Sequence, residues 1–360
     1  MRPLLFLSAA VLLALGAYSY GRLQAAGQLV TDDEINTVNV VAKVRRGLVE
    51  VIARIPLEKR TENGPPDEIG SGFFYKPTSV LTNYHVVQFA ERITLRLSSG
   101  KIVPAKLTAV DVGLDLALLS VSGVSAPGTL PFGSSANLIQ GQKTIVMGSP
   151  LGTPNFVSSG LLATRGRTDP PADDVGLEIP EMLHTTATVL PGNSGGPMMD
   201  SKGQVIGVID ASLGGNDFTQ SGFAGLAIPI DVVKEAVSDL EKVGVPQRGN
   251  LGITLTSLGD IAPIIRKQAG LSSTNGAIVE EVPAGSVGAR AGLRGAIRDG
   301  TGELSELGDV IVGVDGQAVQ DRFEIVRLIA AKRPGQSLTL EVWRNKRKVT
   351  LKTEIVKRTQ

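Results

Sequence analysis

The sequence predicts a mostly β chain folded as two successive units. Its 360 residues are enough for about two domains at roughly 100–200 residues each. Glycine is abundant, at 43 residues, while aromatics make up 4%. That composition of turns and small side chains suits sheets better than a helical bundle. Short β-like runs recur with turn signals between them: Gly72-Phe73-Phe74-Tyr75, Ile93-Thr94-Leu95-Arg96-Leu97, Leu116-Ala117-Leu118-Leu119, Thr144-Ile145-Val146-Met147 and Val205-Ile206-Gly207-Val208-Ile209. Such spacing belongs to an all-β sandwich or barrel.

The chain opens on an uncharged, largely apolar stretch from Pro3 to Gly21, flanked by Arg2 and Arg22. About 18–20 such residues span a bilayer as a helix, so residues 1–24 read as a membrane anchor with the rest exported. The rival reading is a cleaved signal peptide, with Ser19-Tyr20-Gly21 as its small-residue site. Residues Ile35 to Val51 begin polar and then alternate towards a strand, and Glu58 to Gly70 is a loop rich in Glu, Pro and Gly. One clear helix is expected from Asp231 to Val243. Asp231 would be its N-cap, and Val232, Val233, Ala236, Leu240 and Val243 fall at helical spacing. Gly244 to Gly249 reads as a linker. The second unit, from Asn250 to about Val356, carries strands, a helix near Arg322 to Ala331 and a last hairpin pivoting on Arg344-Asn345-Lys346.

Composition removes several function classes. A hydrophobic share of 42% with 20% charged residues excludes a largely disordered chain. Lys and Arg total 36 against 35 Asp and Glu, a net charge of +1, which argues against a dedicated nucleic-acid binder. There is no Cys, hence no disulfide, thiolate zinc site or Cys nucleophile. Two histidines, His85 and His184, leave little room for a metal site, and no metal or cofactor is expected.

The chemistry concentrates at Pro191-Gly192-Asn193-Ser194-Gly195-Gly196-Pro197. A serine among glycines has no bulky neighbour, and glycines permit turns that aim successive backbone N–H groups at one point, as an oxyanion hole requires. The segment also fits G-x-S-x-G, but no His follows Ser194, so the α/β-hydrolase order fails. The base is then His85 or His184. His85, in Leu81-Thr82-Asn83-Tyr84-His85-Val86-Val87, is favoured because of a third element, Gly113-Leu114-Asp115-Leu116-Ala117-Leu118-Leu119. Asp115 is a lone carboxylate in an apolar run. Buried there, it needs donors, and a His ring N–H is the one that a catalytic triad supplies. Asp111 is its local competitor. The order His85, Asp115, Ser194 is that of chymotrypsin-type enzymes.

Thr82-Asn83-Tyr84-His85-Val86-Val87, Asp115-Leu116-Ala117-Leu118 and Gly192-Asn193-Ser194-Gly195-Gly196-Pro197 resemble the HtrA family of serine proteases. Gly225-Leu226-Ala227-Ile228-Pro229-Ile230 looks like that family's cleft-lining strand. Asn250-Leu251-Gly252-Ile253 is similar to a PDZ carboxylate-binding loop. Ala291-Gly292-Leu293, Leu307-Gly308-Asp309-Val310-Ile311 and Asp315-Gly316 are PDZ-like too. With one PDZ unit behind an apolar leader, the chain most resembles the DegS-type, membrane-anchored members.

The resemblance implies a chymotrypsin/trypsin-like double β-barrel over residues 35–244 and an α+β PDZ domain over 250–358. It implies Ser194 as nucleophile, His85 as base and Asp115 as orienter, with the oxyanion hole drawn from Gly192, Asn193 and Ser194. Thr188, Val189, Leu226 and Ile228 would shape an uncharged substrate pocket that favours small or medium apolar residues. Leu251, Gly252 and Ile253 would bind peptide C-termini, and Arg167, with Arg165 as rival, would sense the PDZ state. The implied setting is the periplasm, at the inner membrane. The implied assembly is a homotrimer, acting on unfolded or mislocalised envelope proteins or on one membrane-bound regulator. A peptide-binding or chaperone-like module with an idle triad is the alternative. Three departures stand out. Leu190 is where the family often has Asn, and Asn250 is where it usually has Tyr. Arg294 to Glu306 looks like an insertion relative to a minimal PDZ unit.

Overall fold

The computed structural model describes residues 31–60, 64–149, 155–166, 179, 181–210, 225–268, 270–298 and 304–356. The apolar leader and Arg167 lie outside them. Among the described residues no helix is long and apolar enough to cross a membrane.

The first described element corrects the reading of residues 35–51 as polar chain leading to a strand. Helix α1 spans Asp32–Val44, and the strand begins only at Leu48. The helix starts with a capping box: the Thr31 hydroxyl accepts from the Glu34 N–H at 3.2 Å while the Glu34 carboxylate accepts from the Thr31 N–H at 2.9 Å. Val40 and Val44 are buried on one face of it. Asn36 Nδ2 donates to Ser201 O and Lys43 Nζ to Lys202 O, which fixes the helix against the turn at 200–203.

Two closed six-stranded barrels follow. The first is built from β1 (Leu48–Arg54), β2 (Asp67–Lys76), β3 (Ser79–Asn83), β4 (Arg92–Leu97), β5 (Ile102–Asp111) and β6 (Leu116–Val121), ordered β1-β2-β3-β6-β5-β4. The second holds β7 (Lys143–Gly148), β8 (Phe156–Gly166), β9 (Met182–Thr185), β10 (Pro197–Met199), β11 (Val205–Ile209) and β12 (Gly225–Pro229), ordered β10-β11-β12-β9-β8-β7. Closure removes the free edges that would otherwise invite pairing with other chains.

Each barrel fills its interior separately, the first around Val51, Phe74, Leu95 and Leu119, the second around Val146, Leu183, Met198 and Ile209. A further core lies between the barrels and joins Phe73, Leu81 and Leu116 to Met147, Met199 and Val208. Helix α2 (Ile230–Val243) adds Ile230, Val233, Ala236, Val237 and Leu240 to that shared core. Asp231 is not its N-cap: the cap position is Pro229, which offers no side-chain acceptor. Asp231 lies in the first turn and accepts from the Ser135 N–H at 2.7 Å and the Ser134 hydroxyl at 2.9 Å, bracing the segment that leads into the second barrel.

The second unit is a sheet of β13 (Thr254–Ser257), β14 (Ala277–Glu281), β17 (Val310–Val314), β19 (Ser337–Arg344) and β20 (Arg347–Glu354), with β18 (Gln317–Ala318) paired to β17. Helices α3 (Pro263–Gln268), α4 (Val287–Ala291) and α5 (Arg322–Ala330) accompany it. Its own core gathers Leu251, Val279, Ile311, Ile325, Ile329, Leu340 and Val342. The final hairpin turns through Asn345 and Lys346, both left-handed at φ 49° and 59°, the geometry of a two-residue type I′ loop. The insertion from Arg294 to Glu306 pairs its ends as a small ribbon, β15 (Ile297–Arg298) with β16 (Leu304–Glu306).

The linker is packed against both units. Asp239 of α2 accepts from the Gln247 N–H and pairs with Arg333 just beyond α5. The Gly249 N–H donates to Lys332 O at 2.7 Å.

Candidate active site

Strand register brings His85 and Asp115 together. Asn83, the last residue of β3, pairs with Leu116, the first of β6, so the residues just beyond each end must meet. The Asp115 carbonyl accepts from the Tyr84 N–H at 3.1 Å and from Asn83 Nδ2 at 2.8 Å. Its carboxylate then grips His85 twice, accepting from the backbone N–H at 2.8 Å and from ring Nδ1 at 2.5 Å. The second bond places the proton on Nδ1 and leaves Nε2 to act as a base.

Asp115 reaches this position through a left-handed backbone, φ 50°, at the end of a 3-10 turn over Val112–Leu114. Asp tolerates that conformation better than most residues. The rival Asp111 has a different task. Its side chain caps the same turn through the Leu114 N–H, at 3.1 Å, and forms a buried bidentate pair with Arg248 of the linker, Nη2 to Oδ1 at 2.5 Å.

Ser194 comes from the other barrel. Its loop is zipped onto the end of β11: the Gly195 N–H donates to Ile209 O at 2.9 Å and the Ile209 N–H to Gly196 O at 2.8 Å. It is also stitched to the first barrel, where Ser71 of β2 donates its N–H to Ser194 O at 2.8 Å and its hydroxyl to Gly192 O at 2.6 Å. Gly195, at φ 81°, lies so close to Ser71 O, Thr82 Oγ1 and Asn83 N that a Cβ would fall under 3.0 Å from each. No larger residue fits, and the serine therefore sits beside the segment that leads into His85. The Thr82 hydroxyl donates to Ser71 O at 2.7 Å; in the sequence Thr82 is noted only as part of the His85 segment and Ser71 not at all. Their only signal there was small polar residues inside apolar strands.

Among the described residues neither the Gly192 N–H nor the Ser194 N–H is spent on a hydrogen bond, whereas the Asn193 N–H donates to Leu190 O at 2.9 Å. Asn193 is therefore withdrawn from the expected oxyanion donors, because its N–H closes a turn. Gly192, at φ 92°, takes the left-handed backbone that this presentation needs.

Burial works against a charged His85, but the Asp115 bond and charge, followed by the charges of Asp210 and Glu68, outweigh it and hold the imidazole above its ordinary range. His184 behaves in the opposite way. It sits in β9, in register with Thr164 and Leu226, and burial lowers it despite a hydrogen bond from the ring to the Gly166 backbone. It belongs to the barrel wall.

At the expected pocket, Thr188 is exposed, Val189 half-buried and Leu226 nearly covered. Ile228 is 0% exposed within the core shared with α2, so its expected place on the pocket wall is corrected to a place behind it. Arg165 is committed to Ser135 O at 2.6 Å, Ala136 O at 3.0 Å and Glu181 at 2.9 Å.

In the second unit, Leu251 is buried and its carbonyl accepts from the Gly288 N–H at 2.8 Å. Gly252 is left-handed at φ 64°, and its N–H is taken by the side-chain oxygen of Asn250. Ile253 packs partly buried on the core of the unit.

Residues 70–208 match the trypsin-like peptidase domain and residues 249–355 the PDZ domain. A trypsin-like peptidase domain followed by one PDZ domain is the pairing shared with HtrA serine proteases. A probable periplasmic serine endoprotease, DegP-like, of Pseudomonas putida is 33% identical over 306 residues, covering 82% of this chain and 58% of that protein. The chloroplastic protease Do-like 1 of Arabidopsis thaliana is 32% identical over 296 residues, 80% of this chain and 64% of its own length. The chain thus spans about 58% of the length of its curated DegP-like relative. Among solved structures, the HtrA-type protease AlgW with a decapeptide superposes with a TM-score of 0.68 at 26% identity, covering 90% of this chain and 99% of that one. AlgW with a tripeptide gives 0.67 at 27% identity, covering 90% and 98%.

Proposed function

We propose that the chain is an exported serine endopeptidase working by acyl-enzyme chemistry under control of its PDZ domain. The observation that carries this reading is the double grip of Asp115 on His85, with the Ser194 loop bonded to the strands beside it. Ser194 Oγ attacks the scissile carbonyl while His85 Nε2 takes its proton. Asp115 keeps the other ring nitrogen protonated and stabilises the imidazolium. The Gly192 and Ser194 N–H groups receive the oxyanion, each such donor being worth about 10²–10³ in rate. His85 then returns the proton to the leaving amine, and water repeats the sequence on the acyl-enzyme.

Unfolded or mislocalised envelope proteins, or one membrane-bound regulator, are the substrate class in keeping with the periplasmic relatives. Thr188 and Val189 bring no charge, which supports cleavage after small or medium apolar residues. AlgW is solved with a decapeptide and with a tripeptide, which supports peptide binding by this chain, and Leu251, Gly252 and Ile253 are the residues proposed to take a peptide C-terminus. Arg167 would report that occupancy to the loops around Ser194, with coupling of about 5–150-fold as is common for such switches. Anchoring by residues 1–24 and assembly as a homotrimer complete the reading, to be checked by membrane fractionation and light scattering.

The test is digestion of unfolded casein by the parent and by Ser194→Ala. Loss of one oxygen leaves packing intact, and activity should fall by several powers of ten. Near-normal cleavage by the variant would sink the assignment.

A further inference from the structure

We infer that Asp210 is a second carboxylate of the His85 cluster, a positioning residue that acts on the imidazole beside Asp115. The inference rests on the catalytic roles proposed above and deepens them.

Asp210 directly follows β11 and is 0% exposed. Its own N–H donates to Leu226 O at 3.0 Å, and the residue before it is the one zipped to the Ser194 loop through Gly195 and Gly196. The backbone is thus held from two sides at the nucleophile. One ring nitrogen of His85 and one carboxylate oxygen each of Asp115 and Asp210 lie within 4.8 Å of one another. The imidazole therefore has two buried carboxylates beside it.

A fully buried carboxylate is costly to retain, and a neutral side chain of the same size would pack as well. A charge here is useful where an opposite charge develops. That charge is the imidazolium, formed each time Nε2 takes the serine proton. Nδ1–H stays on Asp115 throughout, and no proton passes to Asp210.

The same charge has a second effect. Among the described residues, the charged groups that act on His85 are Asp115 after the 3-10 turn, Asp210 after β11 and Glu68 on β2, and all are acidic. Each favours the charged ring, while only the neutral ring can serve as base. Asp210 therefore places the acid limb of the pH profile at higher pH than Asp115 alone would, leaving the enzyme idle in mildly acidic surroundings.

The experiment has two arms. The first follows kcat/KM on a short fluorogenic peptide against pH for the parent, Asp210→Asn and Asp210→Glu. The second titrates the histidine rings by NMR in a Ser194→Ala background, where two histidines give two signals and His184→Gln assigns them. Asp210→Asn should lower the His85 midpoint by about one unit, as expected for loss of one nearby charge, and leave His184 in place. One unit below the parent's limb its activity, relative to its own plateau, should then be about fivefold higher. Asp210→Glu should restore the parental limb. An unmoved His85 midpoint in Asp210→Asn overturns the proposal, as does a Glu variant that behaves like Asn. Should Asp210→Asn fail to fold, Asp210→Ser takes its place with the same two outcomes. The NMR arm needs no turnover. A shifted midpoint in a chain without peptidase activity would count against the proposed function and leave the role of Asp210 standing.

Discussion

The His85 cluster and the Gly252 loop are both places where backbone and side-chain donors wait for an anion, yet they are held in opposite ways. Around His85, groups from β2, β3, β6 and β11 converge, and the donors that matter are fixed by long-range bonds such as Asn83 to Asp115 and Ser71 to Ser194. At the PDZ loop, the Gly252 N–H is occupied by its near neighbour Asn250. One site is assembled by the sheet. The other is closed by a short local contact that an incoming carboxylate must displace. The strand-held pairing of His85 with Asp115 should therefore tolerate small local changes, whereas peptide affinity should be adjustable by one side chain.

That contrast can be broken or sharpened in several ways. The largest effect belongs to Asp115→Asn. The fold should survive, because the backbone carbonyl contacts remain, but His85 would lose its enforced tautomer. A fall of about 10⁴ in kcat is expected. Stopped assays on a short peptide read it, and a loss below tenfold would mean that Asp115 is not the orienter.

Next comes Arg248→Met. It leaves the Asp111 carboxylate buried without its guanidinium, and breaking such a pair commonly costs about 3–5 kcal/mol. Because Asp111 also caps the turn that ends at Asp115, activity should fall along with thermal stability. The double variant Arg248→Met with Asp111→Leu should recover much of the stability and little of the activity. Equal recovery of both would uncouple the linker from the site.

The smallest effect is Asn250→Ala. Freeing the Gly252 N–H is worth roughly one hydrogen bond, about 0.5–1.5 kcal/mol, so a peptide with an apolar C-terminal residue and a free carboxylate should bind about 2–10-fold more tightly. The amidated peptide should gain nothing. An equal gain for acid and amide would show that Asn250 blocks the groove by bulk.

Much of this was legible in the sequence because the barrels are made of short alternating runs. Ile93 to Leu97 alternates buried and solvent-facing residues along β4, as its pattern suggests. The His85, Asp115 and Ser194 segments stand out locally, since each sets a polar residue in an apolar or glycine-rich frame. Helix α1 was hidden for the opposite reason. Its β-branched residues Ile35, Thr37, Val38, Val40 and Val41 mimic a strand, and only the Thr31-to-Glu34 capping box contradicts them. Asp210 and Ser71 were hidden because their importance is a matter of what faces them across two barrels. The withdrawal of Asn193 from the oxyanion donors is not legible in the sequence because it depends on the four-residue turn from Leu190 to Asn193, which residue type does not reveal.

The most direct measurement is covalent labelling by a fluorophosphonate, read by mass spectrometry with and without a saturating peptide that ends in an apolar residue. The account predicts one adduct, on Ser194, formed far faster than on a free serine, lost in His85→Ala and raised further by the peptide. A folded chain that takes no label in either condition, or takes it equally in His85→Ala, would contradict it.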